Sequence, residues 1–202
     1  MPNHAALTAL MAVSVFRSVT MASMKRKEHI AVYCVGNRLM LDDGVGPAVY
    51  DELQHYVFPE NVRLYDLGCL TLDRINDVRD FDLIITVDAV DGTDHRVGTI
   101  FQYAPQDMAR RAFGTQSLHD LKLSDLFDSA LLLGYECEGV CLGMQVQNAT
   151  PAEVTIGLTE PVYDKLAELV DCVLAVLVSR GVEVYEKDTG VRVEPGYHHV
   201  VR

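Results

Sequence analysis

Ile30-Ala31-Val32-Tyr33-Cys34-Val35-Gly36-Asn37-Arg38-Leu39-Met40-Leu41-Asp42-Asp43-Gly44-Val45-Gly46-Pro47 is the stretch whose reading decides the fold. Its first six residues carry no charge and do not alternate with polar ones, which predicts a strand buried on both faces of a parallel sheet. Gly36-Asn37 then breaks the run. Val45, Val49 and Leu53 recur at i, i+4 and i+8, so a helix is expected over about 44–56, with Pro47 tolerated in its first turn. A second unalternating run, Leu83 to Val87, ends in Asp88. Two such strands side by side place Asp43 and Asp88 at one C-terminal sheet edge, where open α/β sheets bind their ligands. Two carboxylates there repel unless they share a proton or a cation. A hard or borderline metal ion is the simplest answer, and it needs a third ligand.

The other elements follow the same alternation. Val62 to Leu67 reads as a strand and Leu70 to Val78 as a weak helix. Gly98 to Tyr103 reads as an edge strand, and Val140 to Val146 as a fifth strand. Leu123, Leu126, Phe127, Ala130 and Leu131 give helical spacing over 120–133. A last helix starts at Thr159 as its cap, with Pro161 in its first turn. Val162, Leu166, Leu169, Val170, Val173 and Leu177 share one face, and Gly181 stops it. The expected architecture is an α/β three-layer sandwich around a five-stranded, mostly parallel twisted sheet, over residues 28–185. Residues 1–27 are expected to be a flexible extension, with a targeting or anchoring role as the alternative, in which Met21 and Met24 offer alternative starts, and 186–202 a loose polar tail.

Bulk properties narrow the function. A net charge of −12 argues against nucleic acid. Ala5 to Phe16 is apolar, but no basic segment precedes it and it is too short to span a membrane. The five cysteines lack a scaffold spacing, and Cys34 and Cys172 fall in apolar runs; a reduced, cytoplasmic setting fits. Cys137 and Cys141 have a spacing that zinc sites seldom use, and no second pair accompanies them.

The third ligand should be a histidine on a loop at the same edge. His4 and His29 lie in or beside the extension, His55 at a helix end, and His198 and His199 in the tail. His95, on the loop after Asp88, and His119, just before a helix, both remain open. Asp42 is read as a cap for the 44–56 helix, with substrate contact as the alternative. Gly36 and Asn37 form a turn that brings backbone near a ligand.

In order along the chain, the 35–47 loop is followed by Val87-Asp88-Ala89, Ser117-Leu118-His119-Asp120-Leu121, Leu142-Gly143-Met144-Gln145-Val146 and Thr155-Ile156-Gly157-Leu158-Thr159. This series resembles the nickel–iron hydrogenase maturation endopeptidases over about residues 30–184. The resemblance implies a metal site of Asp43, Asp88 and His119, which are also the catalytic residues. Gly36, Asn37 and Asp42 would lie against substrate. It implies that the nickel arrives already loaded in the hydrogenase large-subunit precursor, whose C-terminal extension the enzyme, as a monomer, removes. Two departures stand out. Gly68-Cys69 replaces a glycine pair, and Gln145-Val146-Gln147 lacks the usual proline.

Two other functions fit parts of the pattern. A non-catalytic, metal-dependent docking protein for a hydrogenase subunit would look much the same. A magnesium-dependent phospho-receiver domain also sets an acid pair after its first strand and an acceptor Asp after its third, but it needs a lysine where Gln147-Asn148-Ala149 stands here.

Overall fold

The computed structural model describes residues 26–69, 75–108 and 126–201. Strands β1 (Ile30–Val35), β2 (Tyr56–Val57), β3 (Val62–Gly68), β4 (Leu83–Val90), β5 (Ile100–Tyr103), β6 (Glu138–Gln145), β7 (Tyr185–Glu186) and β8 (Val200–Val201) form two sheets. The large sheet has six strands in the order β3-β1-β4-β6-β5-β8, and β2 pairs with β7 in a small antiparallel one. β3, β1, β4 and β6 are mutually parallel. The 91–99 link turns the chain round, so β5 runs against β6, and β8 lies parallel to β5.

The five expected strands are all present, and the sheet gains a sixth. β8 comes from the segment expected to be a loose tail, and it covers β5, which was expected to be an edge. Asp171 holds this segment down: its carboxylate receives the Gly196 N–H at 2.8 Å and pairs with the His198 ring. The order also departs from the all-parallel 2-1-3-4-5 sequence of flavodoxin-like sheets, because the penultimate strand in space is antiparallel. That difference removes the architectural support for a receiver domain.

The absence of alternation in β1 and β4 has a direct cause: both faces of the sheet are covered. Ile30, Val32, Cys34, Leu83, Ile85 and Val87 face one apolar cluster, which includes helix α1 (Val45–Leu53) and helix α2 (Glu160–Ser179). Ala31, Tyr33, Val35 and Ile84 face the other, with Val78 from the helical turn Ile75–Val78 and Leu126, Phe127 and Ala130 from helical residues 126–132. Each wholly buried aliphatic side chain of this kind contributes about 1.5–3 kcal/mol. The molecule is thus an α/β sandwich with a mixed, mostly parallel sheet.

Helix α1 is shorter than expected, because residues 41–44 form a separate 3-10 turn and Tyr56–Val57 leaves the helix to pair with Tyr185–Glu186. Helix α2 buries the expected face and ends as expected. Gly181 has φ +80°, its N–H reaches the Val178 carbonyl, and the Val182 N–H reaches that of Leu177.

Candidate active site at the strand edge

The sheet order creates one switch point. From β1 the chain goes to β3 on one side, then crosses back to β4 on the other. Crevices of this kind open at the carboxyl ends of the two diverging strands. Cys34 pairs with Val87, so the last residue of β1 and Asp88 stand level.

Two glycines let the backbone close over that edge. Gly36 has φ +135°, and a Cβ there would lie 1.9 Å from the Asp43 carbonyl oxygen. At Gly46 a Cβ would lie 2.0 Å from the Val35 carbonyl oxygen and 2.8 Å from that of Val87. The first turn of α1 therefore rests directly on the ends of β1 and β4, and only hydrogen fits between.

Asp43 sits in the 3-10 turn Leu41–Gly44, which packs against β4, and it is buried. Its Oδ2 accepts the Asn37 N–H at 2.8 Å, and its own N–H donates to the Met40 carbonyl. The Asn37 side-chain oxygen in turn accepts the Leu39 N–H at 3.0 Å. Asn37 thus shapes the turn and orients the Asp43 carboxylate through its backbone. Asp88, also buried, accepts the Ala89 N–H on Oδ1 at 2.8 Å and lies opposite Gly143 of β6. Both acids are held at one edge, in apolar surroundings, each with an oxygen fixed by a backbone donor.

Asp42 does not cap α1; neither the 3-10 turn nor α1 has a side-chain cap. It is wholly buried and accepts four hydrogen bonds. Oδ2 receives the Gln147 N–H at 3.2 Å, the Asn148 N–H at 2.9 Å and the Thr159 hydroxyl at 2.9 Å. Oδ1 receives the Thr159 N–H at 2.6 Å. Thr159 stands at the expected N-cap position of α2, but its hydroxyl serves Asp42 in place of the helix. A carboxylate at a helix N-terminus also meets the positive end of the helix dipole. The residue before Asp42 is under strain. Leu41 is a non-glycine residue with φ +51°, a region that costs a bulky side chain about 1–2 kcal/mol. Its N–H bond to the Thr155 carbonyl at 2.7 Å holds it there.

Two further residues organise the site. Arg38 reaches Asp51 of α1, Asp66 of β3 and the Pro47 carbonyl, tying the loop to both elements. Gln145, buried at the end of β6, accepts the Thr93 N–H at 3.1 Å and the Thr93 hydroxyl, and donates to the Val146 carbonyl. It thereby fixes the loop that follows Asp88. The sequence signalled it as an amide ending an apolar run, within the Leu142-Gly143-Met144-Gln145-Val146 stretch. On that loop His95 is exposed, with its ring edge-on to Phe101 at 5.1 Å. His119 lies outside the described residues, as do Leu123 and residues 70–74. Among the described residues no group of three or more metal-binding side chains comes together.

Cysteine chemistry has no foothold in three of the five thiols. Burial pushes Cys34 strongly upward, Cys137 up to about 12 and Cys172 up to about 11, with nearby carboxylates adding to each. At neutral pH all three are protonated and poor nucleophiles.

The fold and the edge site define a doubly wound α/β protein with a carboxylate pair at its switch point. A family model for hydrogenase maturation proteases matches residues 47–176. The Hydrogenase 2 maturation protease of Escherichia coli (strain K12) is 26% identical over 161 residues, spanning 79% of this chain and 96% of that protein. The hydrogenase expression/formation protein HupM of Azotobacter chroococcum mcd 1 is 32% identical over 161 residues, spanning 76% of this chain and 74% of that one. Among solved structures, the hydrogenase maturating endopeptidase HybD from E. coli matches with a TM-score of 0.70 at 26% identity, over 77% of this chain and 96% of that one. This chain belongs to the hydrogenase maturation protease family. It is accordingly a hydrolase of the endopeptidase kind, and the resemblance read from its motifs holds.

Proposed function

We propose that this protein removes the C-terminal extension of a hydrogenase large-subunit precursor, and that it does so by recognising nickel already bound in that precursor. The observation that carries the reading is the pair of buried carboxylates, Asp43 and Asp88, held at one switch-point edge by backbone donors. Two negative charges so placed favour a divalent cation. Carboxylates with an imidazole from His119 make a ligand set suited to Ni(II), leaving positions for the precursor's own ligands. Nickel here is part of the substrate. Such a site distinguishes a loaded precursor from an empty one, because the cation offsets the repulsion between the acids only when it is present. Asp42 serves as a positioning residue, and Gly36 and Asn37 place the backbone against the substrate. The protein acts as a monomer in the cytoplasm; an odd number of cysteines without a scaffold spacing supports a reducing compartment. No helix among the described residues is long and apolar enough to cross a membrane.

The test is mass spectrometry of a nickel-loaded large-subunit precursor before and after incubation with the protein. Loss of a C-terminal peptide is expected, with no loss from a nickel-free precursor. Asp43→Asn, Asp88→Asn and His119→Gln should each fold and fail to trim. A stable complex with unchanged mass would replace this reading with the docking one, and normal trimming by Asp88→Asn would remove Asp88 from the site.

A further inference from the structure

Beside the acid pair lies a surface that the site itself does not use. Thr155 bridges Met40 in parallel: its N–H donates to the Leu39 carbonyl and its carbonyl accepts the Leu41 N–H. In an extended chain successive residues point their backbone groups to opposite sides. The N–H and carbonyl groups of Val154 and Ile156 therefore face away from the loop, and no hydrogen bond among the described residues engages them. This short edge is open. Its side chains are apolar and exposed: Val154 is 69% accessible and Ile156 76%, with Leu39 at 49% on the bridged strand. Ile156 lines a groove together with Ala48, Leu158, Tyr163 and Leu166, and Gly44, the neighbour of Asp43, lines it too. Single exposed apolar residues are ordinary, but here an apolar groove adjoins an open backbone edge, and the two together suit a peptide contact.

The rim identifies the occupant. Asp51 and Glu52 line the groove, and Glu153, Glu160 and Asp164 are exposed on the stretch of chain that supplies Ile156, Leu158 and Tyr163 to it. Among the described lining residues Arg38 is the one cation, and it is paired with Asp51 and Asp66, so the acidic character rests on Glu52, Glu153, Glu160 and Asp164. An acidic rim on a chain of net charge −12 disfavours a second copy of itself. We propose that the Val154–Ile156 edge and its groove receive an extended segment of the hydrogenase precursor, apolar at alternate positions and flanked by basic residues, which adds as a strand. Main-chain bonds supply affinity in this mode, and the groove reads side chains. A strand added there lies about 10 Å, or two strand spacings, from Met40, which about three extended residues cover on the way to Asp43. The docked segment and the bond to be cut are thus close enough to lie on one continuous peptide. The inference rests on the reading that a hydrogenase precursor is the substrate.

The experiment uses the full chain and nickel-loaded precursor, comparing wild type with Ile156→Lys, Val154→Lys and Glu52→Lys. The two apolar positions are exposed, so circular dichroism spectra and melting temperatures should match wild type. Each variant should raise KM by about tenfold, with kcat at saturating precursor retained. Precursor shortened to remove its extension should bind wild type more weakly than the intact form. If wild type trims the precursor and the variants do so with unchanged KM, the docking surface is refuted while the protease reading stands. If wild type neither trims nor binds the precursor, that reading fails and the surface proposal fails with it. Sedimentation showing a wild-type dimer that Ile156→Lys dissociates would overturn the proposal in favour of self-association.

Discussion

Replacing Asp42 by asparagine changes one atom and should cost much of the fold's stability. Three of its four hydrogen bonds converge on Oδ2 and the fourth, from Thr159 N–H at 2.6 Å, on Oδ1. An amide keeps a single oxygen. Turned to satisfy the threefold position, it points its NH2 at the Thr159 N–H, donor against donor. One charge-assisted bond is then lost, about 1.5–3 kcal/mol, and a partly buried N–H is left without an acceptor, about 1–2 kcal/mol more. We expect a loss of about 3–5 kcal/mol, against a total of about 5–15 for a domain. With a urea slope of about 2 kcal/mol per molar, the midpoint should fall by roughly 1.5–2.5 M. The sequence contains no tryptophan, so far-UV circular dichroism is the natural probe. Loss of an ordinary helix cap costs about 1 kcal/mol, or a shift of about 0.5 M. A shift that small would refute the claim that Asp42 ties three segments together.

Gly46→Ala should cost at least about 2–3 kcal/mol, because its methyl would meet the Val35 carbonyl at 2.0 Å. Gly181→Ala is the control: φ is +80° but nothing lies within 4 Å, so only about 1 kcal/mol of backbone cost is expected. Equal losses in the two urea titrations would show that the close approach at Gly46 is not decisive. Stability should also fall in alkali. The unfolded chain releases the Cys172 proton near 9, whereas the folded chain holds it to about 11. Between those values the unfolded state binds fewer protons, so its share grows as pH rises. Urea midpoints measured from pH 7 to 11 should decline less steeply in Cys172→Ala, and identical slopes would count against the burial argument.

What the sequence disclosed, and what it hid, follows from which chemical groups do the work. β1 and β4 were legible because burial on both faces writes itself as an unbroken apolar run. Asp88 was legible because a charged residue closing such a run stands out against its apolar neighbours. Asp42 was misread as a cap because three of its four partners are backbone N–H groups, which leave no mark in side-chain identity. Thr159 looked like an ordinary cap for the same reason: nothing local shows that its hydroxyl turns toward residue 42. β8 went unseen because two valines at the end of a polar stretch carry no periodicity. Gln145 and Arg38 act as clamps, and a clamp is defined by what it reaches across space.

The Asp42 carboxylate joins residues 105, 106 and 117 positions further along the chain. A ribosome has therefore issued most of the protein before the acidic turn can take its final shape. A nascent or truncated chain that ends before Thr159 keeps at most the Gln147 and Asn148 N–H donors and lacks both Thr159 groups that hold Asp42 beside Asp43. Contacts this distant form late in folding, after nearer ones have closed the intervening loops. The candidate edge of this peptide-cutting protein is therefore complete only when helix α2 has docked, which is a safeguard against early cutting if the edge is the active site.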